Sequence, residues 1–373
     1  MPPPVKGSPT GRLTESSPAI QNIPEGPPLV VDPALVGEML HNTLVLYGPT
    51  GSRKTSQIGE FAKYIYEKTG KVTRLVSTDG GGWAPIQDLI NAGIIDAWRL
   101  VDEPQLLNAI VAASKGAWPK DLKNGLRSPG PVFVPAPGAA AAGMAGVGAY
   151  AVEGWFSIAS SVMRFLIDKG RKINEDIVSK FTEQSDFGEF SFGAPSRGHY
   201  GFVQSFILDI IRNFSSLPVE RVLYTSLEGK GEDKLTKGLQ YGPAVAGSAI
   251  TAAIPQYVGD CLHFEDYVEE GAQDPANPKQ KLIETKVRAW FQSHPDTQTG
   301  VMWPAKARLV PSKVPEFKKV MGASGYFVLG EKTLRDYLYT QDRLLESSTD
   351  EAKKWKEQVD DARKKLASEG SVG

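Results

Sequence analysis

Residues 44–55 read Leu-Val-Leu-Tyr-Gly-Pro-Thr-Gly-Ser-Arg-Lys-Thr. A short apolar strand runs into a glycine-bearing loop that closes on Lys-Thr, and Ser56 to Lys68 follows with helical spacing of Ile58, Phe61, Ala62 and Ile65. Strand, loop and helix in this order constrain the chain more than any other feature. The loop is a near match to G-x-x-x-x-G-K-[ST], with Gly48, Lys54 and Thr55 in register and Arg53 where the second glycine is expected. Backbone N–H groups of such a loop and the following helix N-terminus form a concave anion site. Residues Gly48, Pro49, Thr50, Gly51, Ser52, Arg53, Lys54, Thr55 and Ser56 are therefore expected to cradle phosphates, with Lys54 reaching the terminal phosphates and Thr55 a Mg²⁺ ion. A left-handed backbone at Arg53 would disfavour its side chain, whereas an ordinary one would leave Arg53 free to add a phosphate contact.

The 373 residues carry a net charge of −1. That balance excludes a wholly basic nucleic-acid binder but leaves room for a local basic channel. Cys261, the single cysteine, excludes an intrachain disulfide and reads as a buried, inert thiol. The histidines His41, His199, His263 and His294 show no metal-ligand spacing, and no apolar run predicts a membrane span.

Nine prolines in residues 1–33 predict a disordered arm. An ordered domain is expected over 34–328, interrupted by a Pro/Gly/Ala insertion at 118–146, with a helical tail at 329–373. Alternating signals (strands 43–47, 72–78, 97–101, 147–153, 219–225 and 257–264, with helices between) predict an α/β fold. Its central sheet is mostly parallel and carries helices on both faces. The alternation in 282–291 predicts an antiparallel strand, half exposed. The interleaved charges of the tail predict a solvated surface helix or helical hairpin, or alternatively a coiled-coil contact.

Nucleotide hydrolysis requires a metal-orienting acid, a water-polarising group and positive charge for the transition state. Glu153 ends an apolar strand and is the candidate metal-orienting acid. Asp79, in Ser77-Thr-Asp-Gly-Gly-Gly-Trp83, is the candidate for polarising water. Thr225, Ser226 and Glu228 are candidates for sensing a γ-phosphate. Lys306 and Arg308 fit a finger reaching a neighbouring subunit's nucleotide, and fit equally two exposed surface charges.

From Leu35 to Phe327 the order of these elements resembles the RecA-like ATPases. The likeness is greatest to phage-encoded nucleotide-binding proteins of that superfamily, some of them single-strand-annealing recombinases. The resemblance rests on the phosphate loop, Asp79, the Ala-Val-Glu153-Gly-Trp-Phe-Ser segment and Leu-Tyr-Thr-Ser-Leu-Glu228. Gly242-Pro-Ala-Val-Ala-Gly247, Ile254-Pro-Gln-Tyr-Val-Gly-Asp260 and Lys306-x-Arg308 add to it. It implies a RecA-like P-loop core with antiparallel C-terminal strands, binding of ATP and Mg²⁺, and a homo-oligomeric ring or filament. It also implies a cytoplasmic location, in the host if phage-encoded. Single-stranded DNA contacts are implied in 170–200, where Phe187, Phe190, Phe192 and Tyr200 would stack on bases. Further contacts are implied in 228–250, where Lys230, Lys234 and Lys237 would meet phosphates. The implied activity is an ATPase acting with single-stranded DNA in recombination or replication. A second expectation is an assembly protein that binds nucleotide and hydrolyses little of it; a motor or helicase loader is a third.

Overall fold

The computed structural model describes residues 43–78, 82–100, 103–116, 118, 146–173, 197–232, 238–245, 251, 254–274, 277–309 and 311–369. The arm at 1–33, Asp79, nearly all of the 118–146 insertion, Phe187, Phe190, Phe192, Lys234 and Lys237 lie outside the described residues.

Six parallel strands form the centre of the sheet: β1 (Thr43–Gly48), β2 (Val72–Ser77), β3 (Ile95–Arg99), β4 (Val147–Glu153), β5 (Arg221–Glu232) and, after the short β6 (Leu239–Pro243), β7 (Asp260–Asp274). After β7 come β8 (Asn277–Trp290), the two-residue strands β9 (His294–Pro295) and β10 (Met302–Trp303), and β11 (Tyr326–Val328). The order across the sheet is β11-β8-β7-β1-β5-β4-β2-β3, with β8 and β11 antiparallel at one edge. The mostly parallel α/β expectation and the antiparallel character of 282–290 both hold. One strand, β5, separates β1 from β4, so the phosphate loop and Glu153 face each other across a strand's width.

Alternation along the strands assigns residues to two cores. Val45, Tyr47, Val152, Val222 and Tyr224 pack under helices α3 (Glu103–Ser114), α4 (Trp155–Ile173) and α5 (Arg197–Ser215). Leu44, Leu46, Ala151, Leu223 and Leu262 face α1 (Lys54–Thr69), α6 (Val314–Met321) and α7 (Leu334–Glu369); the short α2 (Gln87–Asn91) follows β2. Every residue of β1 is buried, the signature of a parallel strand covered on both faces. Each large apolar side chain withdrawn from water there contributes about 1.5–3 kcal/mol.

Three segments depart from expectation. The strand expected to end at residue 225 runs on as β5 to Glu232, and pairs antiparallel with β6 from Glu228–Pro243 to Glu232–Leu239. Strand β7 runs on to Asp274 and pairs with β8 as a long hairpin. The tail begins as core rather than as a solvated helix: Leu334, Tyr337, Leu338 and Gln341 are buried. Its charge pattern lies further along, where it cannot report the apolar first turns. Gln57 on α1 accepts the N–H of Leu334 at 2.9 Å, a cap supplied from another helix.

Among the described residues no helix is long and apolar enough to cross a membrane.

Candidate nucleotide site

The loop from Gly48 to Thr55, the candidate phosphate site, lies at the C-terminal end of β1, where ligands collect in open α/β sheets. Gly48 begins the turn pressed against β7: a Cβ there would lie 2.3 Å from the carbonyl oxygen of Phe264. Only glycine leaves room for that approach. Pro49 and Ser52 close the turn, with Ser52 Oγ donating to the Pro49 carbonyl at 2.8 Å.

Arg53 occupies the left-handed region, at φ 61° and ψ 21°. It is the only described non-glycine residue at positive φ. The position therefore has the geometry for which the pattern's glycine is suited, and arginine holds it at a cost of roughly 1–2 kcal/mol. Arg53→Gly exchanges that strain for about 0.5–1 kcal/mol of added unfolded-chain entropy. The variant is expected to match or exceed wild-type stability by up to ~1 kcal/mol and to keep nucleotide affinity. Urea denaturation with a parallel nucleotide titration checks this; a loss of stability greater than about 1 kcal/mol would show that the guanidinium holds the loop.

Lys54 Nζ donates to the carbonyls of Gly48 at 2.9 Å and Pro49 at 2.6 Å, and to Ser52 Oγ at 3.0 Å. The ammonium is thus held over the hollow of the loop. Thr55 Oγ1 donates to Glu153 Oε1 at 2.6 Å, and Ser77 Oγ donates to Glu153 Oε2 at 2.6 Å. Both oxygens of this buried carboxylate are thereby oriented. The backbone N–H of Gly154 donates to Thr225 Oγ1 at 3.3 Å, tying the tip of β4 to β5 just past their last paired residues.

These groups bound a cleft of about 530 Å³ that runs from the loop across Glu153 and Ser157 to Thr225, Ser226 and Leu227. Phe156 forms part of its wall and is half exposed. Ser77, Phe156 and Ser157 were not among the site residues expected from the sequence. Ser77 carried a signal, a hydroxyl at the tip of the strand next to the acid, whereas Phe156 read simply as the first turn of an apolar helix.

The structure brings Lys54, Thr55, Glu153, Thr225 and Ser226 to one cleft. It places Lys306 and Arg308 elsewhere. Lys306 pairs through its backbone with Cys261, and the Arg308 N–H donates to Asp260 Oδ1 at 2.6 Å. Both sit beside the first residues of β7, at the opposite end of the strands from the loop. Burial lowers the Arg308 pKa although the Asp260 carboxylate opposes the shift. Cys261 is buried and its thiol is pushed up to about 12, chiefly by that burial, as an inert thiol should be.

The donor set fits Mg²⁺: a hydroxyl and an oriented carboxylate, both hard oxygen ligands. Among the described residues no three His, Cys, Asp or Glu side chains converge into a metal cage. A hydroxyl and one carboxylate suit an ion that completes its shell with phosphate oxygens and water.

A scan against protein-family models finds no match to this chain, and neither does a search of curated proteins.

Proposed function

We propose that the chain is a Mg²⁺-dependent RecA-like ATPase that acts with single-stranded DNA in phage-type recombination or replication. The observation that carries the reading is the Lys54–Thr55–Glu153 arrangement: an ammonium over a phosphate loop, and a loop hydroxyl 2.6 Å from a buried carboxylate on the strand beyond β5. The insertion of β5 between the loop strand and the acid strand suits the RecA-like branch of P-loop folds. The half-exposed Tyr200 and the exposed Lys230, whose Nζ lies 5.0 Å from the Tyr241 ring centre, suit contact with a nucleic-acid strand. Lys230 stands on the β5–β6 hairpin, a direct extension of the strand that lines the cleft.

In this reading the loop N–H groups and Lys54 bind and align the β- and γ-phosphates. Thr55 and Glu153 would hold Mg²⁺, which neutralises charge on the phosphate oxygens when bound. Ser77 fixes the Glu153 carboxylate, and Thr225 keeps the end of β4 in register with β5 around the terminal phosphate.

Phosphate release from Mg²⁺-ATP, measured with and without single-stranded DNA, tests the proposal. Turnover that rises with DNA is the expected result, and turnover indifferent to every nucleic acid would remove the DNA component. Glu153→Gln keeps hydrogen-bonding capacity towards Thr55 and Ser77 but loses the charge. It is expected to bind nucleotide within a few-fold of wild type and to lose turnover by about 10²-fold, the scale for removing one charge-stabilising group. Equal turnover in that variant would detach Glu153 from the chemistry. Nucleotide binding with negligible phosphate release from the wild type would favour an assembly protein, the reading to which the strained Arg53 points.

A further inference from the structure

Helix α7 is 36 residues long, and its first turns belong to the body. Leu334, Tyr337, Leu338 and Gln341 are buried, Asp342 reaches Arg221, and Leu344 packs on the core. Past Leu344, side chains of α7 bond back to their own helix. Ser347 and Ser348 Oγ donate to the Leu344 carbonyl at 2.9 Å, Thr349 Oγ1 donates to the Leu345 carbonyl at 3.1 Å, and Lys353 pairs with Asp350 at 3.7 Å. At 1.5 Å per residue, residues 345–369 extend the helix by roughly 37 Å. Helices in proteins owe most of their stability to the packing of one face, so an extension this long calls for something to pack against.

The sequence supplies a face. The stripe that enters the core at Leu334, Leu338 and Gln341 continues in alternating steps of four and three to Leu345 and beyond. Its later positions hold Ser348, Ala352, Trp355, Val359, Ala362 and Leu366. That spacing is the a and d seam of a coiled coil. Glu346, Asp350, Lys353, Lys354 and Glu357, which occupy positions away from the seam, are exposed.

The pattern is its own mirror. Reflected about residue 357, position 348 falls on 366, 352 on 362 and 355 on 359, an a position always meeting a d. Antiparallel pairing of two identical helices makes these same matches: Trp355 against Val359, and Ala352 against Ala362. The charges obey the same reflection. The acidic block Glu346, Asp350 and Glu351 falls on Arg363, Lys364 and Lys365, and Lys353 and Lys354 fall on Asp361 and Asp360. Glu351 and Lys365 both flank the seam, so each meets the other's copy across the pair. Lys356 meets its own copy at the axis, and Asp360, four residues along each helix, offsets that repulsion. A parallel pair in register would set like block against like.

We propose that residues 345–369 are a dimerisation arm, which pairs antiparallel with the same stretch of a second copy of this chain. The body excludes the parallel alternative on separate grounds. The seam prolongs the stripe that is buried up to Gln341, so each copy carries its body on the seam side of its first turns. A parallel partner would need the space that this body fills. Under the reflection Leu345 falls on Glu369, the last residue of α7, so an antiparallel partner ends where the body begins. The contact is isologous and closes on two copies. The two bodies then stand at opposite ends of the paired helices. The inference does not rest on the nucleotide reading.

Sedimentation of the full chain without nucleotide, at low salt and between about 1 and 100 μM, tests the arm. The wild type is expected to reach twice the mass of one chain. Val359→Asp, on the seam, should raise the dissociation midpoint at least tenfold, whereas Glu357→Gln, away from it, should leave the midpoint within about threefold. Glu351→Lys and Lys365→Glu should each weaken the dimer by about tenfold, since each sets like charges together at two symmetric places. Mixing these two variants in equal amounts, or combining both substitutions in one chain, should restore the wild-type midpoint. None of these substitutions touches the buried turns, so the body folds in every variant. A wild type that stays monomeric throughout overturns the arm, as does a dimer indifferent to Val359→Asp. Charge variants that mixing does not restore overturn the antiparallel pairing.

Discussion

Lys54→Ala is expected to lose ATP turnover by at least 10²–10³-fold, the scale for removing a single preorganised charge-stabilising donor, while melting near the wild-type temperature. The ammonium is held by two loop carbonyls and Ser52 Oγ, all weaker acceptors than a phosphate oxygen. A terminal phosphate can take the donors over without moving the lysine stem. Alanine removes the charge and the reach together, while the backbone cradle of the loop survives. Lys54→Arg is expected to rescue little, because a planar guanidinium does not fit the pocket of a compact ammonium between the Gly48 and Pro49 carbonyls. Phosphate release and nucleotide titration on the three proteins decide the matter. Turnover within about threefold of wild type in Lys54→Ala would mean that this loop is not where phosphate is handled.

Asp342→Ala is expected to destabilise the fold by roughly 3–5 kcal/mol, the cost of leaving a buried partner charge unpaired. Asp342 reaches from the tail helix to Arg221 at the start of β5, and Tyr64 and Lys68 of α1 donate to the same carboxylate. The Arg221 side chain is almost wholly inaccessible to water, so its charge has no solvent to fall back on. Burial alone would raise the Asp342 pKa, but Arg221, Lys68 and Tyr64 prevail and hold it below the usual carboxylate value. Arg221 is shifted upward, in the matching sense. A depressed carboxylate pKa gives stability that is complete above its unfolded-state pKa. That stability is lost as pH falls through the folded one, so the wild-type advantage over Asp342→Ala should shrink only on the acid side of about pH 4. Urea denaturation at pH 7 and pH 3 checks both sign and size. An undiminished difference at pH 3 would mean that packing, not charge, accounts for the loss.

Much of the sheet was legible because parallel strands buried on both faces read as short apolar runs, and those of β1, β4 and β5 are unbroken through Leu44–Leu46, Ala149–Val152 and Val222–Tyr224. The phosphate loop was legible for a different reason, since one turn geometry demands a fixed spacing. The rest of the site depends on contacts between distant segments. The Ser77–Glu153 and Thr55–Glu153 bonds span 76 and 98 residues, and no local periodicity encodes them. His263 and His294, whose rings meet, looked scattered because that meeting depends on where the β7–β8 hairpin delivers the chain. The hairpin itself was half hidden: Glu265 to Asp274 alternates weakly and is rich in acids, so its strand character comes from pairing with Asn277–Trp290 rather than from propensity. Lys306 and Arg308, two cations at strand spacing, lie away from the cleft of their own chain, where their backbone pairs with Cys261 and Asp260.

Helix α1 bears on two things at once. Its N-terminus is the floor of the cleft proposed to take phosphates, and its flank clasps the tail through Gln57, Tyr64 and Lys68. The helix is therefore a strut shared between ligand and C-terminus, and whatever stiffens one end stiffens the other. Occupied cradles should shield the tail from proteases, and shortening the tail before Leu334 should leave the cradle slack. A partner that grips the tail would then tune the affinity for nucleotide from the far end of the sheet, with no contact to the phosphates.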